Sequence, residues 1–304
     1  MCRALAYLGR PLLLENLLYK TDSSLLQQTT NPQMLAMLNL AGMGVMAWEP
    51  ESFDPGTPFT YKSAGIPMFD ANLKALSQKV RPTAILAHVR GVPLDGLSDV
   101  GEHNLHPFRY PGFKLALAHN GHLARFAEMK FDLLDFMRPE ISRQIRGTTD
   151  SEWIYALLMS QVDDPTADLT AADITRAIEG SLRILRQVRE RRGIAISSAV
   201  NLFLCDGNDL IAARFIFDFG RFAPGAQPFG VSFTSLWYTV GSEFALHDNE
   251  WKMLGGAGCA DSVMVASEPL TRDVSTWLEV PEYSLLYVAR EGERPVVRIV
   301  DLDA

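Results

Sequence analysis

The apolar residues of this chain change period twice, and that order limits the folds open to it. Period two comes first, and strands dominate the first 120 residues. In "CRALAYL", Cys2, Ala4, Ala6 and Leu8 share one face when the segment is extended. In "PTAILAHVRG", Leu86, His88 and Arg90 take one face, and Ile85, Ala87 and Val89 the other. "GFKLALAHNG" reads as a third strand ending at an Asn-Gly turn. Helical period follows. "TTDSEWIYALLMSQ" carries a start signal and then a stripe of Trp153, Ile154, Leu157 and Leu158. "TAADITRAIEGSLRILRQVRERRG" spaces Ile174, Ile178, Leu182, Leu185 and Val188 as one helix face, with Gly193 as its stop. The chain then returns to strands: a hairpin, "AVNLFLC-DGND-LIAARFIF", then "DSVMVAS" and "SLLYVAR-EGERP-VVRIVDL". Residues 218–258, rich in Gly, Pro and aromatics, receive no assignment. Strands, two helices and strands again do not match regular βαβ alternation. The order predicts an α+β fold.

Charge and cysteine usage narrow the function classes. A formal net charge of −8 leaves no basic footprint for nucleic acid. No apolar run reaches the roughly 18 residues that span a bilayer, and Arg10-Pro11 and Glu15 interrupt the first apolar stretch, against a signal peptide. The three cysteines, Cys2, Cys205 and Cys259, make no disulfide framework. These features predict a cytoplasmic protein with no nucleic-acid or membrane partner.

Four short segments carry chemistry, each with a plainer reading beside it. Cys2 is a small buried hydrophobe, or, once Met1 is removed, a thiol that shares its residue with a free α-amine. Such an amine has an ordinary pKa of about 7.7–8.0, suited to a general base at neutral pH, and a nucleophile paired with it is a known catalytic arrangement. In "AHVRG", His88 and Arg90 form a strand-edge pair, or Arg90 offers a fork to a substrate carboxylate. In "LAHNGHL", Asn120-Gly121 is a turn dipeptide, or an amide and a glycine N–H that stabilise an oxyanion. In "TTDSE", Thr149 and Glu152 fit a capping box, and Asp150 either favours the helix dipole or holds a substrate ammonium. A metal site is the rival, because five of six histidines lie between positions 88 and 122, with His103/His106 and His119/His122 each in an H-x-x-H. On a strand those spacings point to opposite faces, so no metal is expected.

Taken in order, a terminal Cys, H-x-R, N-G and D-S-E resemble the class II glutamine amidotransferases, N-terminal-nucleophile hydrolases with a terminal cysteine. "MCRALAYLG", "SSLLQQT", "NLHPF", "TDSE", "DGNDLIAAR" and "VMVASEPL" resemble its stand-alone branch, the YafJ-like proteins and the ergothioneine-pathway γ-glutamyl hydrolases. The resemblance covers nearly the whole chain and implies a single domain over 1–304. It implies a four-layer αββα sandwich, with the first strand setting the thiol at the sheet edge. It implies Cys2 as nucleophile with its own amine as base, Asn120 and Gly121 at the oxyanion, and Arg90, Asp150 and His88 at the substrate. No cofactor is expected.

The chain departs from the family at Ala41-Gly42, where an Asp-Gly is usual, and at Val92-Pro93, where a Thr usually follows H-x-R and helps bind the substrate carboxylate. The expected activity is hydrolysis of a γ-glutamyl amide, glutamine or a γ-glutamyl conjugate, through a γ-glutamyl thioester. The alternatives are an ammonia-donating glutaminase subunit of a separate synthetase partner, a non-catalytic regulatory subunit that keeps the fold, and an N-terminal-Cys amidase for a non-glutamyl acyl group. Arg90 with Asp150 disfavours the last, because a clamp for a zwitterion is wasted on an apolar chain.

Overall fold

The computed structural model describes residues 2–34, 38–92, 99–218, 235–256, 258, 260–291 and 294–304. Met1, Pro93, Cys259 and positions 219–234 of the unassigned stretch lie outside them. Among the described residues fourteen strands form: β1 (Arg3–Leu8), β2 (Met43–Trp48), β3 (Phe59–Ser63), β4 (Ala84–Val89), β5 (Ala116–Gly121), β6 (Ser198–Cys205), β7 (Leu210–Phe217), β8 (Trp237–Gly241), β9 (Glu243–His247), β10 (Glu250–Leu254), β11 (Ser262–Ala266), β12 (Leu278–Glu279), β13 (Ser284–Glu291) and β14 (Arg294–Asp301). The α-helices are α1 (Ala71–Ser77), α2 (Phe126–Met129), α3 (Pro139–Ser142), α4 (Asp150–Ser160) and α5 (Ala171–Arg191). Two larger antiparallel sheets result. One has seven strands in the order β12-β8-β11-β1-β4-β2-β3, and the other five, β14-β13-β7-β6-β5; β9 and β10 pair as a separate hairpin.

Side-chain alternation builds four layers from these sheets. Ala4, Ala6 and Leu8 of β1 and Leu86 of β4 pack against Ala118, Phe203, Ala212 and Leu286 of the second sheet. Small residues on β1 and β5 let the two sheets approach. The opposite face of β1 and β4 (Leu5, Tyr7, Ile85, Ala87) is covered by Leu14, Leu17, Leu18, Leu73 and Phe244. This outer layer is built of short helical turns, α1 and the β9–β10 hairpin. On the other side α4 and α5 cover Val200, Leu202, Ile211 and Phe215. The expected αββα order is present, with its long helices on one side.

Local chemistry sets the two long helices. Thr170 caps α5 and exchanges hydrogen bonds with Asp173, a full capping box. The apolar face read from its spacing is buried from Ile174 to Val188, and Gly193 beyond the helix has φ +61°. Helix α4 is buried on every side from Ser151 to Met159, more than its stripe implied, because α3, α5 and the helical turn at Lys130–Phe136 pack on it as well as the sheet. Its cap is half the expected box. Thr149 accepts from the Glu152 N–H at 3.4 Å, but the Glu152 carboxylate turns to the backbone N–H groups of Arg146, at 2.9 Å, and Gly147.

Two expectations change. Asn120 and Gly121 are not a turn: they pair with Asn201 and Val200 inside the β5–β6 ladder. And β1 is the middle strand of its sheet, not an edge. Among the described residues no helix is long and apolar enough to cross a membrane.

Histidines are sealed between the sheets. His88 is fully buried, and its ring lies 3.9 Å from that of His106. Gly44, opposite His88 in the ladder, makes room for this: a Cβ there would sit 2.0 Å from the His106 carbonyl oxygen. His103 is instead exposed and pairs with Asp99, so the H-x-x-H histidines do not converge. Burial pushes His88 down to about 3, helped by the nearby His119 and Arg90 and partly offset by the His119 backbone. Burial also lowers His106 and His119. A neutral buried imidazole stabilises the fold fully above its unfolded pKa of 6.5, and that contribution is lost as pH falls through the window towards 3. The urea midpoint is therefore expected to fall as pH drops from 6.5 to 4, and His88→Gln to flatten part of that slope. A midpoint constant across this window would contradict the assignment.

Candidate active site

The site is assembled where β1 begins. The ladder pairs Arg3 with Val89 and Ala4 with His88, so one step further Cys2 lies alongside Arg90. The Cys2 Sγ lies 3.4 Å from the Gly91 N–H and 3.6 Å from its carbonyl oxygen. Burial raises the thiol pKa, against the Gly91 hydrogen bond, the positive charge of the chain's N-terminus and Arg90. The thiol is thus held protonated and needs a base to become a nucleophile.

The strand start is tied down from beneath. Arg3 Nη1 donates to the Cys2 carbonyl at 3.1 Å, and Arg3 Nε lies 3.4 Å from the Glu268 carboxylate. Both residues are almost fully buried. The same carboxylate accepts from the backbone N–H groups of Gln33 and Met34, each at 3.0 Å. Removing one member of such a pair leaves an uncompensated buried charge, a cost of about 3–5 kcal/mol.

Arg90 is held by its backbone and its side chain. Its N–H donates to the Gly42 carbonyl at 2.8 Å, its carbonyl accepts from the Ala41 N–H at 3.0 Å, and Nη1 donates to the Asp99 carbonyl at 2.7 Å. The departure at Ala41-Gly42 thus lies on the backbone that places this guanidinium. Asp150 starts α4. One carboxylate oxygen accepts from the Leu123 N–H at 2.7 Å and lies 3.6 Å from His122 Nδ1; the other accepts from Ser151 Oγ at 3.1 Å. Burial opposes its ionisation, but His122, His119 and the Leu123 N–H outweigh that and hold it down at about 2. The ion pair in turn raises His122 against burial. Cys2, Arg90 and Asp150 are close enough that each charge acts on the others.

Asn120 reaches this group from the other sheet. Its carboxamide lies 2.7 Å from Ser267 Oγ, and Ser267 Oγ accepts from the Ala4 N–H at 2.9 Å. At Gly121 a Cβ would sit 2.0 Å from the Ala199 carbonyl oxygen, so only glycine allows this backbone approach. Of the residues singled out from sequence, Cys2, Arg90 and Asp150 come within electrostatic reach of one another, and Asn120 joins them through Ser267. His88 lies between the sheets with no exposed surface. Sequence reasoning missed Arg3, His122, Ser267 and Glu268 as site residues. The last two were visible only as part of a resembling segment.

The chain has known relatives. Residues 66–220 match the family model described as "Glutamine amidotransferases class-II". A probable glutamine amidotransferase of Saccharomyces cerevisiae, DUG3, is 27% identical over 310 residues, covering 96% of this chain and 82% of that protein. The structure of a glutamine aminotransferase class-II domain protein from Silicibacter pomeroyi aligns over all of both chains at 18% identity, with a TM-score of 0.61. The glutamine phosphoribosylpyrophosphate amidotransferase of B. subtilis aligns at 19% identity and TM-score 0.59, over 99% of this chain and 49% of its own. These likenesses show the shared fold, and the matched family model shows the lineage: the chain belongs to the class-II glutamine amidotransferases, enzymes that act on amide C–N bonds.

Proposed function

We propose that this chain is a single-domain hydrolase of γ-glutamyl amides with Cys2 as its nucleophile. The observation that carries this reading is the meeting, at the start of a central strand, of a buried thiol, a fixed guanidinium and a low-pKa carboxylate. Arg90 takes the substrate's α-carboxylate and Asp150 its α-ammonium, which sets the side-chain amide over Cys2. With Met1 removed, the α-amine of Cys2 accepts the thiol proton. The sulfur adds to the amide carbon, and Asn120 and Gly121 donate to the oxygen that becomes negative. The C–N bond breaks as the Cys2 α-ammonium gives its proton to the leaving amine. The Cys2 α-amine then deprotonates water, which cleaves the γ-glutamyl thioester to glutamate and free thiol. His88 supports the Arg90 strand from behind and touches no substrate.

The substrate is a γ-glutamyl conjugate rather than glutamine, so the leaving group is the conjugate's amine rather than ammonia. The departures at Ala41-Gly42 and Val92-Pro93 support this, since the first is hydrogen-bonded to the backbone of Arg90 and the second follows Arg90 closely in sequence. Glutamate release is to be measured from glutamine, a γ-glutamyl anilide and γ-glutamyl peptides, with intact mass to read Met1. The conjugates are expected to give the higher kcat/KM. Glutamine as the best substrate, alone or once a synthetase partner is added, would replace this reading with ammonia donation. Cys2→Ala is expected to abolish turnover in a folded protein. Wild-type turnover in that variant would remove the nucleophile.

The clamp has its own test. Arg90→Lys keeps the charge and loses the planar fork, and Asp150→Asn removes the ammonium's counter-charge. Each is expected to raise KM at least tenfold. Wild-type KM in both variants would reduce Asp150 to a helix-start residue and Arg90 to a strand-edge one.

A further inference from the structure

The hydroxyl of Ser267 lies between the two sheets at the point where they must agree. It is almost fully buried, as are Asn120 and Ala4. It touches Ala4, two residues beyond the nucleophile, and Asn120, on the first strand of the second sheet. With the carboxamide nitrogen turned towards Ser267, Oγ accepts from both Ala4 and Asn120. Among the described residues its own proton then has no acceptor, and Asn120 Oδ1 is buried with no donor. The two ends of a carboxamide are nearly isosteric, and their partners decide which is nitrogen. Turning the amide over resolves both faults. Ser267 Oγ then accepts from Ala4 N–H and donates to Asn120 Oδ1. The Nδ2 of Asn120 takes the unpartnered position with its N–H groups uncommitted.

We propose that Ser267 is a positioning residue for amide hydrolysis. Its hydroxyl fixes the Asn120 amide with nitrogen towards the substrate oxygen, and holds that amide at a set distance from the nucleophile strand. This rests on the preceding reading, in which Asn120 serves the oxyanion. It adds a residue that never meets substrate yet decides whether the oxyanion meets a donor or an acceptor. An acceptor there would repel the developing negative charge, so the error is worse than a missing donor. Removing one oxyanion donor typically costs about 10²–10³ in rate, and an amide free to turn over loses part of that.

The test compares Ser267→Ala, Ser267→Thr and Asn120→Ala on the γ-glutamyl anilide. Two inhibitors go with it: glutamate, which resembles the ground state, and the γ-aldehyde of glutamate, which adds the Cys2 thiol to form a tetrahedral hemithioacetal. Ser267→Ala is expected to lower kcat by about 10–100-fold with KM within twofold. It should weaken the aldehyde by a similar factor and leave glutamate binding unchanged. Thr keeps a hydroxyl on the same carbon and is expected to recover most of kcat. Wild-type kcat in Ser267→Ala, with Asn120→Ala impaired, overturns the role of Ser267 alone. Equal weakening of both inhibitors does so too, since general loosening of the site does not distinguish ground state from tetrahedral adduct. Wild-type kcat in Asn120→Ala overturns instead the oxyanion assignment on which the proposal stands.

Discussion

The site depends on one constraint: β1 is hydrogen-bonded on both sides. With β4 and β11 as neighbours, the strand cannot slide or tilt without breaking two ladders, and a slip of one residue would turn its buried side chains to the wrong layer. Cys2 inherits that rigidity. Its carbonyl is fixed by Arg3, Arg3 by Glu268, and Glu268 by the backbone at Gln33 and Met34. A thiol at a frayed terminus would sample many positions; here it extends from the middle of a sheet.

Electrostatics then divides the site. Below the Cys2 end, between the sheets, His88 and His106 are kept neutral by burial. Above it, Arg90 and Asp150 stay charged because each has fixed partners. The neutral interior lets the sheets close, while the retained charges are one cation and one anion set apart from it. His122, more exposed and next to Asp150, has its pKa raised by that carboxylate.

Local signals were read where they decide local structure. Alternation in "CRALAYL" and "PTAILAHVRG" gave the correct faces, because each strand lies between two apolar layers and both faces must be filled. The Asn-Gly dipeptide misled, since a hairpin turn and a close backbone approach both favour glycine, and only the partner strand separates them. Position in the sheet was not legible: that β1 is central follows from β8 and β11, which arrive more than 200 residues later. Nor were β9 and β10 readable from their aromatic-rich segment, where only Phe244 and Met253 are buried and the apolar Leu246 is exposed, so burial does not follow a clean alternation. The Ser267–Asn120 contact spans 147 residues and two sheets, and no window of sequence carries such a bond.

The pairing pattern also orders events in time. The first neighbour of β1 is some 80 residues away along the chain, and the second, at Leu5 to Ala266, far more distant. Closing such long loops is slow, and domains rich in distant pairings fold late and expose unpaired strands while they wait. A chain emerging from its N-terminus therefore carries β1 with one edge open, even after β4 is available, until β11 has been made. Until then Cys2 is an ordinary thiol on a loose end, without the burial that raises its pKa. Reactivity towards a thiol reagent during refolding thus reports the arrival of the last-made neighbour of the first strand.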